Sequence, residues 1–322
     1  MHHVLRHAII ATLLAVAAAS AAAQAYPTKP IRFLVASPAG GSPDILARIV
    51  GNKLAEQLKQ QIIVDNRAGA SGIIGVEIVK NSAPDGYTML LATSTNFAAL
   101  PVLKKSLPYD AERDFIPLTR IAWVANVATV NAGLGVNNVA DLVKLARAKP
   151  GQLNYGSAGN GSPAHLAGAM FDVLAGVKTT HVPYKGAAPA ILDMIGGQIQ
   201  YMITSPLVAM PHSRSGRIKV LATTGAQRDP LLPELPTMAE TVPGYDIVQW
   251  WGITLPKGVP AAIAQRLHKE LIAALNHPDS KAQMNRNGAT PSPESPDQFA
   301  AFMKSERTRI ANVGKQAGIT IE

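Results

Sequence analysis

One short pattern occurs twice in this chain, each time where an apolar, strand-like run passes into a helical run. The two copies are Gly40-Gly41-Ser42-Pro43-Asp44 and Asn160-Gly161-Ser162-Pro163-Ala164. We expect each serine to cap the helix, and proline suits the first helical position because its missing N–H would have no partner there. The glycines leave backbone N–H groups open to a ligand. Since a helix N-terminus with open donors binds anions, the two loops predict two lobes that hold one anion from opposite sides.

Strand-like and helical runs alternate along the chain, which is typical of α/β folds with largely parallel sheets. The extended run 115–130 is expected to leave the first lobe, and the run 247–255 is expected to return to it. The tail helices 261–276 and 296–316 would then pack on the first lobe. We therefore predict a two-lobed α/β fold with two crossing strands as its hinge. The first lobe would comprise residues 26–126 and 249–322, and the second lobe residues 127–248.

The N-terminus has the pattern of a secretory signal peptide at residues 1–25. Arg6 and three histidines make a weakly basic start, an apolar run covers residues 8–19, and Ala23-Gln24-Ala25 matches the A-x-A cleavage pattern. A membrane anchor is the alternative, but the apolar run is short and rich in alanine for a span. We expect cleavage after Ala25, a mature chain that begins at Tyr26, and export.

Composition excludes several classes of function. The 322 residues contain no cysteine, so thiol catalysis, cysteine-based metal sites and disulfides are excluded. The net charge of +9 comes from scattered basic residues without a stripe of interleaved aromatics, which argues against nucleic-acid binding. His165, His181 and His212 lack the spacing of paired metal ligands, and we predict neither a metal nor another cofactor.

Several ordered motifs resemble those of a known receptor family. They are Pro38-Ala39-Gly40-Gly41-Ser42-Pro43-Asp44, Asn66-Arg67-Ala68-Gly69-Ala70-Ser71-Gly72, Asp85-Gly86-Tyr87-Thr88, Asn154-Tyr155-Gly156-Ser157-Ala158-Gly159-Asn160-Gly161-Ser162, His181-Val182-Pro183-Tyr184-Lys185-Gly186, Gly196-Gly197-Gln198 and Pro236-Thr237-Met238-Ala239-Glu240. In this order they resemble the periplasmic solute receptors of tripartite tricarboxylate transporters, also called the Bug family, over nearly all of the mature chain.

That resemblance implies a periplasmic-binding-protein fold of the Venus-flytrap type, type II-like, and no catalysis. It implies that the protein is periplasmic, captures a small carboxylate between its lobes and delivers it to the membrane permease subunits of a tripartite transporter. We expect the receptor to be monomeric. A sensor of the same fold, which presents its bound solute to a membrane receptor, stays open as an alternative.

The candidate ligand contacts lie on the two loops and on neighbouring strand ends. In the family, backbone and hydroxyl donors of the two loops hold the carboxylate, and the matching segments here are 37–44 and 157–162. Strand ends contribute because ligands of open α/β sheets bind at the carboxyl ends of the strands. The full set is Ser37, Ala39, Gly40, Gly41, Ser42, Asp44, Ser94, Asn96, Ser157, Ala158, Gly159, Asn160, Ser162, His165, Tyr184 and Ser205.

Some of these residues have competing explanations. Asp44 either complements the helix dipole, with Arg48 as its i,i+4 partner, or orders a water or a ligand ammonium group. Ser157 with His165 raises the remote alternative of an exported serine hydrolase, although segment 155–159 lacks the G-x-S-x-G elbow. Trp250 and Trp251 fall on the return crossing, where core or hinge packing is expected.

Overall fold

Two β-sheets organise residues 26–319, which are the residues that the computed structural model describes. The six-stranded sheet has the order β11-β4-β10-β3-β1-β2, and the five-stranded sheet has the order β7-β6-β8-β5-β9. The strands are β1 Ile31–Val35, β2 Ile62–Asn66, β3 Thr88–Thr93, β4 Phe115–Ala125, β5 Val127–Asn131, β6 Asn154–Ser157, β7 Thr180–Pro183, β8 Tyr201–Thr204, β9 Ile218–Thr223, β10 Val248–Pro256 and β11 Thr290–Pro291. The signal-peptide prediction lies outside the described residues.

Helices cover the faces of both sheets. They are α1 Ser42–Leu58, α2 Ile73–Lys80, α3 Leu100–Leu103, α4 Val139–Ala148, α5 Pro163–Ala175, α6 Ala187–Ile195, α7 Pro206–Arg214, α8 Ala261–Asn276, α9 Pro278–Arg286 and α10 Pro296–Ala317. The sequence interpretation missed α3, α7 and α9. Helix α7 carries Pro211 in its interior, and proline there normally breaks a helix. Among the described helices, none is long and apolar enough to cross a membrane.

Both sheets are mixed rather than largely parallel. Strand β1 pairs in parallel with β2 and β3, whereas β10 pairs antiparallel with β3 and β4. In the second sheet, β6 is parallel to β7 and β8, but β5 is antiparallel to β8 and β9. The antiparallel members are the strands that carry the chain between the sheets, together with β11. Strands β5 and β10 therefore run against the βα units beside them, whereas β4 has the same direction as β1 and β3.

The chain crosses between the sheets at two adjacent places. The run 115–130 forms β4 in the first sheet and β5 in the second, and Asn126 alone separates the two strands. The return passes through Ile247, whose N–H donates to the carbonyl of Thr224, into β10, where Val248 pairs with Ala125. These crossings confirm the predicted two-lobed α/β fold, while the lobe boundaries stay a prediction.

The C-terminal helix α10 bridges the two sheets. It packs on β4 and on the segment after β3, as predicted for the tail, and it also packs on α5 beside the second sheet. Trp250 is fully buried against the rings of Phe299 and Phe302, and its Nε1 donates to Glu306. Arg309 donates to the main-chain oxygen of Asp246 at 2.6 Å. The core is therefore continuous from the first sheet to the second.

Candidate ligand-binding site

A cavity of about 510 Å³ lies between the sheets, at the carboxyl ends of β1, β3, β6 and β8. The first sheet and its loops contribute Ala36, Ser37, Pro38, Gly41, Ser42, Pro43, Ala68, Gly69, Ser71, Gly72, Thr93, Ser94, Thr95, Asn96, Gln249 and Trp251. The second contributes Ala158, Asn160, Ser162, Pro163, Ala164, Ala187, Thr204, Ser205 and Val208. All of these residues are uncharged. The polarity of the site thus comes from hydroxyls, side-chain amides and the backbone.

Four helices begin at the cavity wall. Helix α5 starts after Ser162, whose hydroxyl accepts from the N–H of His165 at 3.3 Å, so this predicted cap is confirmed. Helix α7 starts after Ser205, which caps it through the N–H of Leu207. Helices α1 and α6 begin at Ser42 and Ala187, which also line the cavity. Because a helix N-terminus carries unpaired N–H groups and a partial positive charge, this wall favours an anion.

The first loop does not use its serine as the sequence pattern predicts. Gly41, in extended conformation, occupies the cap position of α1, and no side chain caps this helix. The expectation for Ser42 is therefore wrong. The carboxylate of Asp44 folds back instead, and its Oδ2 accepts from the N–H of Gly40 at 2.8 Å and from Arg48 at 3.1 Å. Since Ser42 does not cap the helix, its hydroxyl is left beside the cavity.

Asp44 itself is turned away from the cavity lining. Its side chain is almost fully buried and pairs with Arg48 at i,i+4. Burial alone would raise the pKa of this carboxyl, but the hydrogen bonds from Arg48 and from the backbone of Gly40 outweigh it and hold the pKa below its usual range. Of the two explanations for Asp44, the structure favours the one in which it holds the loop together.

The predicted contacts divide into two groups. Those that line the cavity are Ser37, Gly41, Ser42, Ser94, Asn96, Ala158, Asn160, Ser162 and Ser205. Those that the structure places outside its lining are Ala39, Gly40, Asp44, Ser157, Gly159, His165 and Tyr184. Loop residues of the second group lie next to lining residues, so each predicted loop borders the cavity through only some of its residues.

Ser37 has an unpaired hydroxyl at the cavity. Its Oγ is buried and has no hydrogen-bond partner within the described chain. A buried polar group normally has a partner, and leaving it unpaired is costly. A ligand oxygen in the cavity would give this hydroxyl the missing partner.

Asn96, another lining residue, is held in place by two side-chain hydrogen bonds. Its Nδ2 donates to the carbonyl of Ser71 at 2.8 Å, and its Oδ1 accepts from the hydroxyl of Thr93 at 2.7 Å. Asn96 lies in a π-helical turn over Thr95–Ala99 that follows β3. This turn carries Asn96 against the loop before α2, which the sequence reading had not connected with the site.

Two stacked histidines pack against the second loop and lie outside the lining of the cavity between the sheets. The rings of His165 and His181 lie 4.0 Å apart at 15°. The Nδ1 of His165 accepts from the N–H of Gly161 at 3.1 Å, and Ser157 Oγ lies 2.7 Å from Nε2 of His181. Burial lowers the pKa of His165, and burial together with His165 lowers the pKa of His181 to about 4. Both rings are therefore neutral near pH 7.

These contacts also bear on the hydrolase alternative. Ser157 is fully buried and bonds to His181, not to His165 as that alternative required. The histidine pair faces a separate cavity of about 500 Å³, whose polar lining includes Asp172 and Thr179. Asn160 lines both cavities. The histidines therefore shape the loop and do not enter the space between the sheets.

Three aromatic residues near the crossings and strand ends have distinct roles. The Tyr184 hydroxyl donates to Asp193 at 2.8 Å, and burial together with this acidic neighbour raises the pKa of Tyr184 to about 12. Trp250 and Trp251 are both buried in the core, and Trp251 also lines the cavity.

Several lining residues were missed from the sequence. They include Ala36, Ala68, Gly69, Ser71, Gly72, Thr95, Pro163, Ala164, Ala187, Thr204, Val208 and Gln249. Thr204 and Ala187 follow the rule already applied to other strand ends and helix starts, so that rule could have found them. Gln249 carries no comparable signal, because it lies inside an otherwise apolar strand run.

A cavity between two α/β lobes, walled by helix N-termini and joined by two strand crossings, defines a protein of the periplasmic-binding-protein class. The family model described as the tripartite tricarboxylate transporter family receptor matches residues 46–319. The chain belongs to this family of periplasmic solute receptors.

Individual relatives agree with this assignment. The chain is similar to Protein BugT of Bordetella pertussis strain Tohama I, at 34% identity over 319 residues that cover 98% of each chain. It is similar to the structure of an R. palustris protein with adipate, at 35% identity and a TM-score of 0.86, covering 92% of this chain and 99% of the other. It is also similar to MatC of Rhodopseudomonas palustris with bound malate, at 27% identity and a TM-score of 0.80, covering 89% and 99%.

Proposed function

We propose that this protein captures a small carboxylate between its lobes and delivers it to the membrane subunits of a tripartite tricarboxylate-type transporter. The observation that carries the proposal is the cavity wall, which brings helix N-termini and hydroxyls from both sides and no charged side chain. Backbone N–H groups at helix starts bind a carboxylate by hydrogen bonds and by their partial positive charge. A cationic ligand would find no carboxylate partner in this lining.

The comparisons support the same ligand class. Two similar proteins have been solved with adipate and with malate, which are both small dicarboxylates. A cavity of about 510 Å³ is large enough for acids of this size. Ser37 and Ser42 on one side, and Ser162 and Asn160 on the other, are the side-chain contacts that we assign to the carboxylate.

Ligand binding is proposed to close the two lobes, which we place at 26–126 with 249–322 and at 127–248. The division of strands between the two sheets supports these boundaries to within one residue, since β10 of the first sheet begins at Val248. A ligand that contacts both walls stabilises the form in which both sets of contacts exist at once. The protein is proposed to act as a monomer, and addition of ligand should lower its radius of gyration in solution scattering.

Export with cleavage after Ala25 is also proposed. Tyr26 supports this position, because it is buried and its hydroxyl bonds to the carbonyl of Gly86. The first described residue is therefore anchored in the folded body. The intact mass of protein recovered from the periplasm tests the position, since a chain that retains residues before Tyr26 would contradict it.

Calorimetry tests carboxylate capture directly. Purified protein is unfolded in guanidinium and refolded to remove bound solutes, and is then titrated with adipate, malate, succinate and the corresponding neutral diamides. We expect at least one acid to bind and its diamide not to bind. At a free acid concentration of one hundred times the dissociation constant, the free energy of unfolding should rise by about 2.7 kcal/mol. Binding of the diamides with equal affinity, or of none of the acids, would contradict the proposal.

Uptake measurements test delivery to a transporter. Cells that lack this chain should lose uptake of the labelled acid identified by calorimetry. The wild-type chain should restore uptake, while a Ser162→Pro variant, which loses the cap and its hydroxyl, should not. Unchanged uptake without the chain would contradict a transport role and favour the sensor alternative.

A further inference from the structure

Gln249 and Asn126 form a side-chain pair where the two strand crossings meet. Gln249 is the second residue of β10 and lines the cavity, whereas Asn126 is fully buried between β4 and β5. The Nε2 of Gln249 donates to Oδ1 of Asn126 at 2.9 Å. The main-chain oxygen of Asn126 accepts from the N–H of Thr224, which ties it to the second lobe. The pair thus joins the cavity wall to the crossings.

The Asn126 amide has one unsatisfied group. Its Nδ2 is buried without a hydrogen-bond partner in the described chain. Unpaired buried N–H groups are rare, and unpaired carbonyl oxygens are tolerated somewhat better. The pair therefore buries one donor group, Nδ2 of Asn126, without a hydrogen bond.

Rotation of both side-chain amides by half a turn changes this balance. Nδ2 of Asn126 would then donate to Oε1 of Gln249, so the pair keeps one hydrogen bond. The Nε2 of Gln249, with its two N–H donors, would point away from Asn126 at the cavity wall. The pair can therefore present either an acceptor or a donor to a ligand, and the donor orientation gives Nδ2 of Asn126 a partner while leaving its carbonyl oxygen as the unpaired group, which is tolerated better.

We propose that Gln249 is a specificity-determining residue, which recognises the second polar group of the bound acid, and that Asn126 is the residue that positions it. The inference rests on the proposed carboxylate-binding function. The first carboxylate contacts the helix starts, and a second carboxylate or a carbonyl oxygen selects the donor orientation of Gln249. A plain aliphatic monocarboxylate of the same length gains nothing from this amide.

Matched pairs of acids test the inference. Adipate and hexanoate have the same number of carbons, as do succinate and butyrate, and each pair differs in one carboxylate. Because a hydrogen bond to a charged group adds about tenfold or more in affinity, wild-type protein should prefer the dicarboxylate of at least one pair by that factor. In Gln249→Met, the dicarboxylate should weaken about tenfold while the monocarboxylate changes less than twofold.

Two further variants separate recognition from structural damage. In Asn126→Asp, the carboxylate can only accept, so it holds Nε2 of Gln249 toward itself and should lower the preference for the dicarboxylate without lowering monocarboxylate affinity. Gln198→Met changes an exposed glutamine and should leave every affinity unchanged. Thermal unfolding of each variant verifies that it is folded.

The possible outcomes are distinct. An unchanged affinity ratio in Gln249→Met, an equal weakening of both acids of a pair, or equal wild-type affinities within each pair would overturn the role of Gln249 and leave the carboxylate-binding function standing. Failure of wild-type protein to bind any of the four acids would overturn this inference, and failure to bind malate as well would also contradict the proposed function. Collapse of the ratio in Gln249→Met, with monocarboxylate binding retained, supports the assignment.

Discussion

Replacement of Gly72 by alanine is expected to damage the ligand site more than a comparable change elsewhere. Gly72 lines the cavity and has φ of +89°, a conformation that side chains other than glycine rarely adopt. A Cβ at this position would lie 2.7 Å from Nδ2 of Asn96 and 2.9 Å from the carbonyl oxygen of Ala36. The second neighbour is backbone, so the clash cannot be relieved by moving a flexible side chain.

The magnitude follows from two contributions. The left-handed conformation costs alanine about 1 kcal/mol relative to glycine. Displacement of Asn96 from its bond to the carbonyl of Ser71 costs roughly a further 1–2 kcal/mol, because the amide is buried. We therefore expect Gly72→Ala to lower the free energy of unfolding by about 2–3 kcal/mol and to weaken adipate or malate binding.

Gly151 provides a matched control. It has φ of +73°, and a Cβ there would meet no atom within 4 Å. Gly151→Ala should therefore lose only the conformational contribution of about 1 kcal/mol and should bind ligand normally. Urea unfolding gives both free energies, and calorimetry gives both affinities. Equal losses of stability in the two variants, or unchanged ligand affinity in Gly72→Ala, would refute the reasoning.

Two other predictions concern the cap and the histidine pair. Ser162→Ala and Ser295→Ala each remove a helix cap, so each should lower the free energy of unfolding in urea by about 1 kcal/mol. Only Ser162→Ala should weaken carboxylate binding, because Ser162 lines the cavity. Equal weakening of binding in both variants would contradict the role of Ser162. The pKa of His181 is lowered to about 4 in the folded protein, so the unfolded chain binds more protons between pH 4 and about 6.5, and stability should fall as the pH drops through this window. Allowing for solvent screening, the loss from pH 7.5 to 4.5 should be about 1–2 kcal/mol. His181→Gln should reduce that slope, and an unchanged profile would show that His181 does not titrate as stated.

Local sequence patterns predicted much of the architecture. The alternation of apolar runs with helical runs marked the strands of both sheets, because hydrophobic spacing is a property of neighbouring residues. The run 115–130 was correctly interpreted as a crossing, although the break at Asn126 was not predicted. Ser162 and Pro163 correctly marked the start of α5, since capping depends on atoms only three residues apart.

Identical local patterns nevertheless led to different structures. Ser42 and Ser162 occur in the same phrase, yet only Ser162 caps its helix. Asp44 follows Ser42 by two residues and its carboxylate bonds to Gly40, whereas Ala164 stands at the matching place in the second copy and has no side chain that could compete. Whether the serine caps its helix therefore depended on the residue that follows the shared Gly-Ser-Pro.

The sequence by itself determined where most strands and helices begin and where the two Gly-Ser-Pro loops lie, because those features arise from spacing and from capping over a few residues. Only the tertiary structure decided which side chains face the cavity. Asn96 reaches the loop before α2, and Gln249 reaches Asn126 across 123 positions of the chain. Such contacts depend on how the two sheets and their crossings pack, and no local pattern encodes the direction in which a loop side chain turns once that packing is formed.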